Sequence, residues 1–264
     1  MPRANRYHLP GYIWHLTHRC HKKEFLLKFA KDRRRWMAWL YEARERFGLR
    51  VLNFVVTRNH VHLLVVDSAD PQVVPRSLQL IAGRTAQGFN FRKHRAGAFW
   101  EDRYHATAIE NGVHLTNCLT YIDLNMVRAG RVRHPIQWVH GGYYEMERPP
   151  RYKNLVDYES LLKLLGIGTM KELRALRRRL VAEKIAAKQL GRESQWTGSI
   201  AVGSPEFLEE MKERLGLRTW WRAIEPVDDS SSFQLKDVDG EYCVLRVKKA
   251  SNWPKRTVKN ESNF

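Results

Sequence analysis

The chain alternates between short apolar runs and longer segments in which apolar residues recur every three to four positions. Runs rich in β-branched and aromatic residues predict strands at 12–19, 51–56, 60–66 and 103–110. Helical spacing of apolar residues predicts helices after the first and third of these strands, over 24–47 and 73–93. Strand, helix, strand, strand, helix, strand is the order of a ferredoxin-like fold. We therefore expect an α+β protein with an antiparallel sheet and helices on one face.

The C-terminal half has a different pattern. A helix is predicted over 111–128, and Pro149 and Pro150 then mark a linker. Further helices are predicted over 152–166, 170–190 and 203–214, which together suggest a small C-terminal helical domain. The predicted division is a first domain at 1–148, a basic helical extension at 149–229, and a tail at 230–264 with a possible hairpin between 232–235 and 242–247.

The charge of the chain points to a polyanionic partner. Lys plus Arg is 46 and Asp plus Glu is 28, so the formal net charge is +18 at a pI of about 10.1. Such an excess is typical of nucleic-acid-binding proteins, although solvated basic faces are the alternative. The cations with the clearest clustering lie at the end of the second helix or on the 170–190 helix, and they are the predicted DNA contacts: Arg92, Lys93, Arg95, Arg174, Arg177, Arg178 and Lys184.

Cysteine usage and hydropathy bear on the compartment. Cys20, Cys118 and Cys243 are isolated, which argues against a disulfide framework and fits a reducing cytoplasm. No apolar run approaches the roughly 18 residues of a membrane span. The N-terminal residues lack the apolar core of a signal peptide. We expect a cytoplasmic location and no membrane partner.

The clearest candidate chemistry is the pair His60 and His62 in the third strand. Side chains alternate faces along a strand, so both imidazoles point to the same side and can converge on one cation. Two histidines on a rigid strand make half of a metal site. The alternative is an ordinary half-buried strand with two hydrogen-bonded histidines.

A second candidate pair lies on the 111–128 helix. Tyr121 and Asn125 are four residues apart and therefore share one face of that helix. The amide oxygen of Asn125 can be a third ligand to a hard cation. The phenol of Tyr121 can attack a phosphorus atom. The alternative for Tyr121 is a ring that packs against the sheet.

These two motifs, NHVHLLV and YIDLNMVRAG, together resemble the single-tyrosine HUH transposase family, in particular its REP-associated tyrosine transposases. The segments YIWHLTHR and FWEDRYHAT are similar to the family's first strand and to the lead-in to its tyrosine helix. The resemblance covers about residues 6 to 145. Two departures are Thr57-Arg58, where the family usually has Met-Pro, and Met126, where it usually has proline. Neither departure removes a chemical group.

The resemblance implies an HUH-type catalytic domain at 1–148 with defined roles. His60 and His62 would bind Mg²⁺ or Mn²⁺, and Asn125 would complete the metal site. Tyr121 would be the nucleophile that forms a 5′-phosphotyrosine bond to single-stranded DNA and releases a 3′-OH. The implied partner is single-stranded or hairpin DNA, and the protein would be either a monomer or a homodimer.

Two rival functions stay open at this point. One is a non-catalytic DNA-binding protein on the same scaffold, which would not need His60, His62 and Tyr121 together. The other is a metallohydrolase with water as the nucleophile, which usually has a His-x-His-x-Asp pattern. Leu63 and Leu64 follow His62, so that pattern is absent. The leading hypothesis is a metal-dependent endonuclease and strand transferase.

Overall fold

Four antiparallel strands form the first half of the sheet in the computed structural model, which describes residues 9–68, 70–151, 154–216, 219, 222–227 and 232–236. They are β1 (Ile13–Arg19), β2 (Arg50–Val56), β3 (His60–Val66) and β4 (His105–Ile109). Their spatial order is β2-β3-β1-β4. Strands β1 and β3 are therefore central, which confirms the predicted ferredoxin-like topology.

The register of β1 against β3 decides which residues share a face. His62 lies opposite Thr17, and Leu64 lies opposite His15. Because directly opposed residues of an antiparallel pair point to the same side, His15 and His62 project from one face of the sheet. His18 and Val61 are also opposed and project from the other face.

The two predicted helices of the ferredoxin-like unit are α1 (Ala30–Phe47) and α2 (Val73–Lys93), and they pack against each other. Helix α1 starts at Ala30 rather than at the predicted position 24, because residues 24–29 are not helical and the backbone of Phe29 is extended. Both helices cover the face that carries His18. The ring of His18 stacks on Trp100, whose indole donates to the carbonyl of Ala82 in α2 at 3.1 Å.

The opposite face of the sheet is covered by α3 (Val113–Asp123), which continues after Leu124 into the single turn α4 (Asn125–Arg128). The predicted 111–128 helix is thus interrupted near its end. Asn53 of β2 anchors α3, since its side-chain amide donates to Leu119 O at 3.3 Å and to the carboxylate of Asp123 at 2.9 Å. This packing brings the tyrosine helix over the histidine face.

The chain next makes a 3₁₀ turn, Pro135–Gln137, and the short helix α5 (Gly142–Glu147) beside β2. The helices that follow are α6 (Tyr158–Leu165), α7 (Met170–Ala186), α8 (Gln195–Gly198) and α9 (Pro205–Leu215). They correspond to the predicted C-terminal helices, with α8 added.

The C-terminal part also contributes three strands: β5 (Ser199–Gly203), β6 (Ile224–Pro226) and β7 (Phe233–Lys236). Strand β5 pairs parallel with β4, β7 pairs antiparallel with β5, and β6 pairs antiparallel with β7, so the sheet has seven strands. Strand β7 matches the first half of the predicted hairpin, but its two edges are taken by β5 and β6. Residues 242–247 lie outside the described residues. The domain boundaries at 148 and 229 stay predictions, and strand pairing within the sheet runs across both of them.

Within these described ranges, none of the helices combines the length and apolarity needed to cross a membrane.

Candidate active site

His60 and His62 point into the space between the sheet and α3, where their rings are perpendicular with centroids 5.0 Å apart. His60 Nδ1 lies 2.9 Å from Asn59 Oδ1 and 3.0 Å from Thr57 Oγ1. An amide oxygen only accepts hydrogen bonds, so Nδ1 of His60 carries the proton. Nε2 of His60 is left with a free lone pair.

His62 lies deeper in the same site. Its Nδ1 is 2.9 Å from Nε2 of His15, and its Nε2 is 3.0 Å from the side-chain nitrogen of Asn125. Burial lowers the pKa of His60 to about 4 and the pKa of His62 well below its ordinary value of 6.5. Both rings are therefore neutral near pH 7, which is the form that binds metal ions.

Tyr121 faces these histidines from the last turn of α3. Its ring is perpendicular to that of His62 with centroids 5.8 Å apart, and the residue is only 5% exposed. Burial raises the pKa of the Tyr121 phenol, while the positive charge of Arg128 opposes that rise. A buried phenol with a raised pKa is a weak nucleophile unless its substrate is activated.

Arg128 is a site residue that the sequence analysis missed. Its guanidinium carbon is 4.0 Å from the centroid of the Tyr121 ring, and its Nη2 donates to the backbone carbonyl of Tyr121 at 3.0 Å. The arginine therefore supports the chain where α3 gives way to α4, and it places a positive charge beside the phenol. Its position seven residues after Tyr121, two helical turns away, was the available signal.

His15 is the second missed residue. The sequence analysis assigned it no role, because its two partners come from distant parts of the chain: His62, and the carbonyl oxygen of Trp196, which lies 2.8 Å from His15 Nδ1. The side chain is fully buried.

Whether these residues fit a metal ion depends on the donor atoms. In the part of the chain that the structure describes, no group of three or more His, Cys, Asp or Glu side chains could hold a metal. Any cation here would need the amide of Asn125 beside the two imidazoles. Two nitrogen atoms and one amide oxygen suit a divalent cation that keeps open positions for a phosphate. The donor set therefore fits.

A cavity of about 320 Å³ opens beside Tyr121. Its wall includes Trp196, Arg192 and Lys184, together with side-chain amides such as that of Asn117. Arg192 is exposed, and its charge is close enough to lower the pKa of both His60 and Tyr121. The cavity therefore combines aromatic surface, amides and positive charge next to the phenol.

Two of the predicted DNA contacts, Arg92 and Lys93, end α2, and the third, Arg95, follows it. Arg92 forms an ion pair with Asp32, Lys93 Nζ lies 5.5 Å from the centroid of the Phe29 ring, and Arg95 donates to Ala98 O at 3.0 Å. Their contact with DNA stays a prediction.

The four predicted contacts on α7 divide into different environments. Arg177 is buried at 2% exposure, and it donates to the carboxylate of Asp123 with Nε–Oδ2 and Nη2–Oδ2 distances of 3.1 and 2.7 Å. A buried guanidinium paired in this way has no free face for DNA, so Arg177 departs from the prediction. Arg174 donates to Met146 O at 3.0 Å, and Arg178 is exposed and paired with Glu147. Lys184 is the one of the four that lines the cavity.

Known proteins resemble this chain in structure and in sequence. Two solved structures are similar to this chain: a REP-associated tyrosine transposase bound to a REP hairpin, and a provisional transposase of Deinococcus radiodurans. The first is 18% identical, covers 60% of this chain and 94% of its own, and has a TM-score of 0.47. The second is 15% identical, covers 49% and 98%, and has a TM-score of 0.33.

No curated protein matches the chain. A family profile described as "Transposase IS200 like" matches residues 9–125. That segment runs from β1 to the tyrosine helix and carries His60, His62, Tyr121 and Asn125. Residues 9–125 of the chain are therefore similar to the IS200-like transposase family.

Proposed function

We propose that the protein is a metal-dependent single-strand DNA endonuclease and strand transferase, which acts on hairpin or palindromic DNA through a 5′-phosphotyrosine intermediate. The observation that carries the proposal is the meeting of two neutral histidines, an amide and a tyrosine in one site, although they come from segments about 60 residues apart. A protein that only binds DNA has no use for this combination.

In this proposal His60 Nε2, His62 Nε2 and the side-chain oxygen of Asn125 hold Mg²⁺ or Mn²⁺. A bound divalent cation neutralises charge on the scissile phosphate and orients it for in-line attack. The amide nitrogen of Asn125 now donates to His62 Nε2 at 3.0 Å. Rotation about the last side-chain bond of Asn125 would present its oxygen in the same place.

Tyr121 then acts as the nucleophile. Its hydroxyl oxygen forms a bond to phosphorus, the bond from phosphorus to the 3′ oxygen breaks, and the phenol proton ends on that oxygen as a 3′-OH. Arg128, beside the ring, stabilises negative charge that develops on the phenol oxygen. Rejoining is the reverse attack by a 3′-OH, which releases the phenol and needs no ATP.

The cavity beside Tyr121 supports a single-stranded substrate. Trp196 offers an aromatic surface, and Arg192 and Lys184 offer charge, which is the combination that binds unpaired nucleotides. We assign this cavity to a nucleotide next to the cleaved phosphate. The net charge of +18 supports a polyanionic partner that is larger than this one nucleotide.

The proposal is tested by incubating the protein with labelled hairpin oligonucleotides, with and without Mn²⁺, and separating the products on a denaturing gel. We expect a metal-dependent covalent adduct whose label is retained by the protein. Tyr121→Phe removes the attacking oxygen and should abolish the adduct. Tyr143→Phe is the matched control, because Tyr143 is equally buried and its hydroxyl has no hydrogen-bond partner among the described atoms.

The alternative outcomes identify the rival functions. Cleavage without an adduct, unchanged in Tyr121→Phe, would assign the attack to water and contradict the role of the tyrosine. Binding to a broad panel of hairpins with no cleavage in Mn²⁺ would favour the non-catalytic DNA-binding protein.

A further inference from the structure

A chain of hydrogen bonds runs from the C-terminal extension through the sheet to His62. The carbonyl oxygen of Trp196 lies 2.8 Å from His15 Nδ1, and His15 Nε2 lies 2.9 Å from His62 Nδ1. The two rings are nearly parallel, with an interplanar angle of 10°, and both are buried. Each ring nitrogen along this chain has one partner within hydrogen-bond distance.

The direction of the proton in each bond follows from the ends of the chain. A backbone carbonyl only accepts, so the proton of the first bond is on His15 Nδ1. Nε2 of a neutral His15 is then an acceptor, and the proton of the second bond is on His62 Nδ1. Nε2 of His62 is consequently left without a proton, facing Asn125.

The carbonyl at the start of the chain is held in place by other contacts. The segment that contains Trp196 and Ser199 is tied to β4, because the hydroxyl of Thr107 donates to Ser199 O at 2.7 Å and His105 Nε2 lies 3.0 Å from the same oxygen. The Thr107 hydroxyl also lies 3.4 Å from Trp196 O itself, so the acceptor for His15 is fixed relative to the sheet.

We infer that His15 is a positioning residue, which fixes the Nδ1–H tautomer of His62 and so keeps the Nε2 lone pair directed at the cation site. The inference rests on the proposed function, since the cation is part of that proposal. Partners that set the tautomer of a ligating histidine also fix its ring orientation and raise its basicity. Without an acceptor at His15, His62 can place its proton on Nε2, which removes the lone pair from the site.

Two substitutions separate the two bonds of His15. In His15→Gln the amide oxygen reaches the position of Nε2, so it still accepts from His62 but loses the contact with Trp196. In His15→Asn the shorter amide reaches the position of Nδ1, so it still donates to Trp196 but leaves His62 without its acceptor. Both variants bury an amide of similar size, so they are matched for the polarity placed in the site.

The measurement is Mn²⁺ affinity of the full chain without DNA, read from the electron paramagnetic resonance signal of free Mn²⁺. We expect His15→Gln to stay within a few-fold of the unmodified chain and His15→Asn to bind about 10–100-fold more weakly. In parallel, ¹⁵N NMR of histidine-labelled, metal-free protein reports which nitrogen of His62 carries the proton. We expect Nδ1 in the unmodified chain and in His15→Gln, and a shift of the proton toward Nε2 in His15→Asn.

Equal affinities in the two variants, or an unchanged His62 tautomer in a folded His15→Asn protein, would overturn the inference. Both variants are checked for folding by thermal unfolding, and the NMR signal of His62 is interpreted only in a folded protein. If the unmodified chain bound no Mn²⁺, the proposed metal site would fail. The tautomer measurement would still decide the role of His15, because it needs no metal.

Discussion

The buried histidines of this protein show how much of a residue's chemistry is set by its surroundings. His15, His60 and His62 have the same side chain, and in each of them burial is the largest cause of a lowered pKa. Their hydrogen-bond partners place the proton of each ring on Nδ1, and the rings differ in what the unprotonated Nε2 faces. The residue type made His60 and His62 candidate metal ligands. Only their hydrogen-bond partners show that Nε2 is the ring nitrogen with a free lone pair.

A buried histidine outside the site, His140, leads to a prediction about the stability of the fold in acid. His140 is 3% exposed, and burial, with the charges of Arg33 and Arg34, lowers its pKa to about 4. In the unfolded chain His140 binds a proton near pH 6.5, whereas in the folded chain it does so only near pH 4. Protonation therefore favours the unfolded chain, and the free energy of unfolding falls as the pH drops from 6.5 toward 4.

We expect His140→Gln to reduce the acid-induced loss of unfolding free energy between pH 7 and pH 4 by about 3 kcal/mol. The check is urea unfolding at a series of pH values. His94→Asn is the control, since His94 is exposed and asparagine tolerates its left-handed backbone with φ 48°. The same pH slope in His140→Gln as in the unmodified chain would contradict the assignment.

At the scale of elements, the arrangement of α3 and α4 decides where the chemistry sits. Helical spacing placed Tyr121 and Asn125 on one face, and the structure keeps both beside His62 although the helix is interrupted at Leu124. Behind that face, Asp123 is held by Asn53 of β2 and by Arg177 of α7. Helix α7 therefore supports the tyrosine helix from the side that faces away from the histidines.

Removal of this support gives a prediction on stability. Arg177→Met would leave the carboxylate of Asp123 buried without its ion partner, which costs on the order of 3–5 kcal/mol. Arg179→Met is the matched control on the same helix, because Arg179 is exposed and its partner Glu183 is 3.8 Å away at the surface. That exposed pair contributes about 0–1 kcal/mol.

Chemical denaturation of the two variants measures the difference directly. Equal midpoints for Arg177→Met and Arg179→Met would contradict the structural role of Arg177. Loss of DNA binding by a fully stable Arg177→Met protein would instead support the predicted contact between Arg177 and a DNA phosphate.

Periodicity and residue type were sufficient for the elements that bury an apolar face. Strands β1 to β4 and helices α1, α2, α7 and α9 follow from patterns within one segment. Strand β5 was not predicted, because all five of its residues are buried and their sequence shows no alternation of polar and apolar positions. Arg177 was predicted to contact DNA, since nothing local in the sequence shows that it pairs with Asp123, 54 residues earlier. His15 was missed for the same reason, with Trp196 lying 181 residues away.

At the scale of the whole molecule, the sheet joins the two halves of the chain. The four-stranded unit that the sequence predicted is continued by β5, which pairs with β4 at Ala108 and Ile109. The residues proposed to hold the cation lie on β3 and α4, while the Trp196 carbonyl and much of the cavity wall come from the continuation. The site is thus built from both halves.

The parallel pairing of β4 with β5 has a consequence for any attempt to isolate the catalytic unit. In a fragment of residues 1–148, the outer backbone groups of β4 would lose their partner and become an open edge, which is a template for pairing between molecules. We expect this fragment to self-associate on size-exclusion chromatography with light scattering, while residues 1–236, which keep β5 against β4 and β7 against β5, associate less. A monodisperse monomer of 1–148 would show that this edge is protected in some other way. Because β5 covers the edge of β4, we expect the C-terminal half to reduce aggregation, independently of any part it has in binding DNA.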